Sequence, residues 1–198
     1  MSGISREVYR GRVVHLFVDT LTLPNGHTTT LEVIRHPGAA AVVPFVDPDT
    51  ILLVRQYRHA AGGYLLEIPA GKLDAGEAPE ACAARETEEE TGHRARRLER
   101  LGAILTTPGF TDEIIHLFAG YDLVATQSTL EADEDLTVVR LPFAEAVAMV
   151  ERGAPGPARS RCAPTSHAPA RNAAAGTATG SQSTCTSPGT GRANAAAR

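Results

Sequence analysis

Between Gly71 and His93 the chain reads GKLDAGEAPEACAARETEEETGH, and its acidic residues fall at a spacing that suits metal chemistry. Glu77 stands six residues after Gly71, Arg85-Glu86 begins eight residues later, and Glu89-Glu90 and Gly92 close the stretch. Residues 78–91 are expected to form a helix. Pro79 suits a first turn, Ala81, Ala83 and Ala84 are strong helix formers, and Gly92 is placed to stop it. Glu86, Glu89 and Glu90 then share one face at i, i+3 and i+4, with Arg85 four residues before Glu89 and in reach of it. A run of glutamates on a helix is ordinarily a solvated face with ion pairs. Three carboxylates crowded on one face repel one another, however, and a cation relieves that repulsion. Mg²⁺, held between a few carboxylates and substrate phosphates, suits such an oxygen cluster, with Mn²⁺ as an alternative.

The elements that must position this helix are short strands. Residues 12–19 and 28–34 are expected to pair through Pro24-Asn25-Gly26, and 40–46 with 51–57 across Asp47-Pro48-Asp49. A strand at 64–68 leads into the acidic stretch, strands at 98–106 and 113–121 flank Pro108-Gly109, and 137–141 is a last strand. A second helix is expected at 142–151, with Ala146, Val147 and Val150 on one side. Antiparallel-like runs of strands interrupted by two helices imply a mixed α/β or α+β sandwich.

The length of 198 residues allows one domain with a substantial core. A net charge of -4 makes no electrostatic case for nucleic acid. No apolar run is long enough to span a bilayer, and the N-terminus lacks a signal-peptide core, so a cytoplasmic location is expected. Cys82, Cys162 and Cys185 have neither metal-ligand spacing nor a disulfide framework. After Val150 the chain contains no Val, Ile, Leu, Met, Phe, Tyr or Trp, and after Glu151 no acidic residue. Such a segment cannot bury enough apolar area to offset chain ordering. The organisation expected is N-terminal strands over 1–37, a main domain over 38–152 and a disordered low-complexity tail over 153–198.

Gly71, Glu77, Arg85, Glu86, Glu89, Glu90 and Gly92 fill every fixed position of the Nudix box, and the chain resembles that hydrolase superfamily. With each residue type at roughly one in fifteen, seven matches at fixed spacing arise by chance on the order of 10⁻⁸ per start. Two apolar slots of the box hold Thr87 and His93 instead, which is expected to weaken packing behind the helix more than the site itself. RQYRHAAGGYLLEIPAGKLDAGE before the box, Pro108 sixteen residues after Gly92, TDEIIHLFAG and LEADEDLTVV resemble the ADP-ribose pyrophosphatase subgroup.

The resemblance implies an α/β/α sandwich with a mixed sheet, plus an N-terminal antiparallel strand pair that serves a homodimer. It implies Mg²⁺-dependent hydrolysis of ADP-ribose to AMP and ribose 5-phosphate. Alternatives are the same chemistry on another nucleotide sugar or dinucleotide, and an ADP-ribose-binding module without turnover. Glu86 and Glu90 are implied as main metal ligands, with Glu89 and the Ala70 carbonyl as further ones, and Arg85 as their orienting partner. The loop before the last strand is implied to supply the catalytic carboxylate, assigned to Glu134 as base or metal ligand, with Glu131 second. Arg55 and Arg58 are candidates for the diphosphate, because a planar guanidinium suits phosphate oxygens, and the resemblance favours Arg58. Glu113 is placed near the metals or the ribose, and Pro108 marks the substrate loop. Tyr57 and Phe110 are expected to be packing residues, and His116 a strand residue.

Overall fold

A computed structural model of the chain describes residues 3–130 and 135–153. The tail expected over 153–198 lies outside the described residues except for Gly153, as do Glu131 and Glu134.

The N-terminal region is a three-stranded antiparallel sheet in the order β1-β2-β3, formed by β1 (Gly3–Arg10), β2 (His15–Thr22) and β3 (Thr28–Arg35). The expected pair is present as β2 and β3, joined by a turn in which Gly26 takes a left-handed φ of 84°. β1 is an addition to that expectation. All of its residues are exposed, so no apolar alternation marks it in the sequence.

The main sheet follows from a run of small and branched residues. β4 (Ala39–Asp47) is buried on both faces from Ala39 to Phe45, as a central strand must be. It lies antiparallel to β5 (Thr50–Arg58) and parallel to β9 (Ile114–Ala125). β9 pairs with β8 (His93–Leu105), and β10 (Leu136–Pro142) closes the other side against β5. Two short strands join this mixed sheet: β6 (Gly63–Glu67) on β5, and β7 (Ala70–Lys72) on β4.

Alternation in β4 divides the interior in two. Ala39, Ala41, Val43 and Phe45 enter one cluster, against which Phe143 and Ala146 of α2 (Phe143–Glu151) pack. Ala40 and Val42 face the other way, onto Cys82 and Ala83 of α1 (Pro79–Thr91). The sheet therefore lies between two helices, as an α/β/α sandwich requires.

α1 begins on Pro79 and ends where Gly92 takes φ 65° and donates its N–H to the Glu88 carbonyl. Thr87, in an apolar slot of the motif, is fully buried, and its hydroxyl donates to the Ala83 carbonyl at 2.7 Å. That bond removes the cost of an unpartnered polar group that burial would otherwise impose.

Candidate active site

β7 carries the backbone across the carboxylate face of α1. Its antiparallel register sets Ala70 against Ala41 and Gly71 against Ala40. The Ala70 N–H then donates to Glu90 Oε2 at 3.1 Å, and Glu90 is only 3% exposed. At Gly71 the approach is closer still: a Cβ would lie 1.8 Å from Glu86 Oε1 and 2.0 Å from Glu86 Cδ. Glycine at this position is what lets the Glu86 carboxylate lie over the strand.

Arg85 gathers the acidic side chains. Its Nε and Nη2 donate to the two oxygens of Glu77, both at 2.9 Å. Nη1 donates to Glu86 Oε1 at 2.7 Å and to Glu89 Oε2 at 3.1 Å, and Nη2 also reaches the Lys72 carbonyl at 3.1 Å. Held mainly by Arg85 and also by the Asp74 N–H, the Glu77 carboxyl titrates at about 2. Bonding to Glu77, opposed by burial, raises the Arg85 guanidinium further above its ordinary value. Burial pushes the Cys82 thiol up to about 12, with the charges of Glu77 and Glu86 adding to it, so it supplies no thiolate at neutral pH.

These residues form one side of a cleft of about 350 Å³. Ala70, Gly71, Lys72, Arg85, Glu86, Glu89 and Glu90 line it, together with Arg58, Glu113, His36, Gln56 and Thr129. Arg58 is anchored by the buried Glu67, through Nε at 3.0 Å and Nη2 at 2.6 Å. Glu113 accepts from Thr106 Oγ1 at 2.7 Å. Thr129 donates its N–H to the Glu89 carbonyl at 3.1 Å, tying the chain beyond β9 to the end of α1.

Arg55 and Pro108 stand apart from the cleft lining. The Arg55 guanidinium lies 3.8 Å from the centre of the Tyr64 ring on an exposed face of β5. Pro108 occupies an exposed turn, which backbone bonds fasten to β3: the Ile34 N–H to the Phe110 carbonyl at 2.8 Å and the Asp112 N–H to the Ile34 carbonyl at 3.3 Å. Phe110, expected to pack, is instead 53% exposed. His116 is a strand residue as expected, opposite Ala40 and Ala103.

His36, Gln56 and Thr129 are absent from the sequence-derived set. Gln56 lies two residues before Arg58 on the same strand, and that parity is the signal that finds it. It is 6% exposed, and its Oε1 has no hydrogen-bond partner among the described residues.

The donor set fits a hard cation. Glu86, Glu89 and Glu90 offer oxygens only, and the glycine leaves room for a carboxylate where a Cβ would displace it. Among the described residues no three acidic, His or Cys side chains are gathered into a closed ligand sphere. Glu86 and Glu89 lean on Arg85, and a cation would compete with the guanidinium for them.

Residues 35–161 match the family described as NUDIX domain. The chain is 41% identical over 147 residues to the ADP-ribose pyrophosphatase of Bacillus subtilis (strain 168), covering 73% of this chain and 80% of that protein. It is 42% identical over 149 residues to the methanol dehydrogenase activator of Bacillus methanolicus, covering 74% and 80% respectively. A crystal structure described as an ADP compounds hydrolase superposes with a TM-score of 0.67 at 28% identity, covering 75% of this chain and 80% of that one.

Proposed function

The chain belongs to the NUDIX family, and from that premise we propose that it hydrolyses ADP-ribose to AMP and ribose 5-phosphate as a Mg²⁺-dependent cytoplasmic homodimer. The observation that carries this proposal is the convergence of Glu86, Glu90 and the Ala70-Gly71 backbone in a cleft that Arg58 also lines. Members of the family use divalent metal ions. Glu86, Glu90, Glu89 and the Ala70 carbonyl would hold the ion here. Bound, it would supply charge neutralisation of the diphosphate and a lowered pKa for a coordinated water.

The protein's own groups do the rest. Arg85 holds Glu77, Glu86 and Glu89 in register, so the carboxylates meet an incoming ion already oriented. Arg58, fixed by Glu67, presents a guanidinium to the diphosphate. In the reaction a water oxygen bonds to one phosphorus, the bridging P–O bond breaks, and the bridging oxygen leaves with the other phosphate.

Glu134 is proposed as the carboxylate that takes the water's proton or joins the metal ligands, with Glu131 second. Both follow Thr129, which lines the cleft, and precede Asp135, whose carbonyl accepts from the Tyr57 N–H at 3.0 Å. Near-wild-type turnover in a folded Glu134→Gln variant removes that assignment.

The N-terminal sheet supports the dimer. Ile4 and Tyr9, which pair with Thr20 and Leu16 and so share one face of the sheet, are 77% and 58% exposed, apolar side chains that a second copy would bury. Equilibrium sedimentation tests it, and a monomer at micromolar concentration contradicts it.

The substrate is tested by phosphatase-coupled phosphate release with Mg²⁺ over ADP-ribose, ADP-mannose, GDP-mannose and NADH. ADP-ribose is expected to lead. Preference for another compound keeps the chemistry and changes the substrate, whereas silence on all of them discards the enzyme.

A further inference from the structure

One carboxylate of the cleft, Glu113, is faced by a histidine that the chemistry above leaves without a role. His36 lies between β3 and β4, and its side chain is 13% exposed. Its Nδ1 stands 3.1 Å from the backbone nitrogen of Gly38, which can only donate. Nδ1 therefore accepts, and the neutral ring carries its proton on Nε2. Nε2 faces Glu113 Oε1 at 3.7 Å, while Glu113 Oε2 accepts from Thr106 Oγ1 at 2.7 Å. Each carboxylate oxygen thus meets one donor group of the protein. A separation of 3.7 Å is longer than a hydrogen bond, and such contacts in unliganded sites shorten when a ligand fills them.

Holding the loop does not require the imidazole. The segment before His36 is already clipped to the segment before Glu113 by four other bonds. Two are the Ile34–Phe110 and Asp112–Ile34 backbone pairs. The others are the His36 N–H to Asp112 Oδ1 at 2.7 Å and the Arg35–Asp112 ion pair at 3.3 Å. The ring is therefore available to orient the carboxylate.

We infer that His36, set in its Nε2–H tautomer by the Gly38 N–H, is a positioning residue that aims Glu113 at hydroxyl groups of the substrate's sugar. The diphosphate offers only acceptors and repels a carboxylate, so the nearest donors that such a substrate offers Glu113 are hydroxyls of its sugar, the adenine amino group lying at the far end of the nucleoside. This inference rests on the hydrolase reading above for its substrate, but not for the tautomer.

Two substitutions separate aim from fold. Asn at 36 keeps an acceptor near the Nδ1 position for Gly38 and loses the distal N–H. Gln at 36 places an N–H near the Nε2 position and loses that acceptor. His36→Asn is expected to melt near the wild-type temperature with kcat/KM on ADP-ribose about tenfold lower, carried mainly by KM. His36→Gln is expected to melt lower yet recover most of kcat/KM. Wild-type kinetics in His36→Asn, or equal kinetic losses that follow stability in both variants, would overturn the inference.

Imidazole ¹⁵N shifts of the full chain read the tautomer without turnover. A proton on Nδ1 of the neutral ring overturns the inference even in an active enzyme. An inactive wild type with Nε2–H sinks the hydrolase reading and, with it, the sugar as the group that Glu113 meets.

Discussion

The cleft has two walls held together in different ways. On the helix wall one guanidinium reaches Glu77, Glu86 and Glu89, and one backbone N–H holds Glu90. On the loop wall, His36, Glu113 and Thr129 come from separate segments and are placed mainly by backbone hydrogen bonds. The helix wall therefore concentrates its geometry in a few charged side chains, and the loop wall spreads it over the main chain. Side-chain changes on the first should alter chemistry. On the second they should alter chiefly how well the substrate is held.

The largest effect is expected from Glu90→Gln. The amide keeps an acceptor for the Ala70 N–H, so the fold should persist while metal-assisted turnover falls on the order of 10³-fold. The matching change on the loop wall, Glu113→Gln, should cost about tenfold, mostly in KM. Steady-state kinetics on both variants decides the comparison, and equal losses in kcat would end it.

Arg85→Met comes next. Removing the guanidinium leaves Glu77, Glu86 and Glu89 without their shared cation. Activity should fall by about 10–100-fold, as for other residues that orient metal ligands, and the thermal midpoint should drop with it. Unchanged melting in that variant would show that the helix wall is not organised by Arg85.

Gly71→Ala separates geometry from stability. The glycine has no left-handed φ, so Ala fits the backbone, but its Cβ would enter the space of Glu86. Mg²⁺ titration should show weaker binding, by about tenfold, with melting nearly unchanged.

Acid stability is the next smaller effect. Arg85 holds the folded Glu77 carboxyl at about 2, below the ordinary carboxylate range. A depressed pKa contributes stability that is full above the unfolded value and is lost as pH falls toward the folded one. Melting measured from pH 5 down to pH 2 should therefore fall less steeply in Glu77→Gln than in the wild type; parallel curves would contradict this. The smallest change is Gln56→Met, which removes a buried acceptor that lacks a partner among the described residues and should raise stability by about 1 kcal/mol in chemical denaturation.

The two walls also differ in how far they can be read from sequence. The helix was expected over 78–91 and is found at Pro79–Thr91, because Pro79 and Gly92 mark its ends chemically. Its carboxylates lie within one turn of each other, so helical spacing alone places them on one face. Strand parity likewise separates Arg55 from Arg58, three residues apart on β5, and the favoured Arg58 is the one in the cleft. His36 meets Glu113 only because β3 and the Pro108 turn close on each other, a non-local pairing that no spacing encodes. β1 carries no signal in the sequence because an exposed strand needs no apolar alternation, and β7 carries none because three residues hold too little pattern.

The central claim, metal-dependent cleavage of a diphosphate bridge, is tested most directly by separating the products of ADP-ribose incubated with the full chain and Mg²⁺, with and without a chelator. Equimolar AMP and ribose 5-phosphate, abolished by the chelator and restored by excess Mg²⁺, is the predicted result. ADP with free ribose, or undiminished cleavage in the chelator, would contradict it.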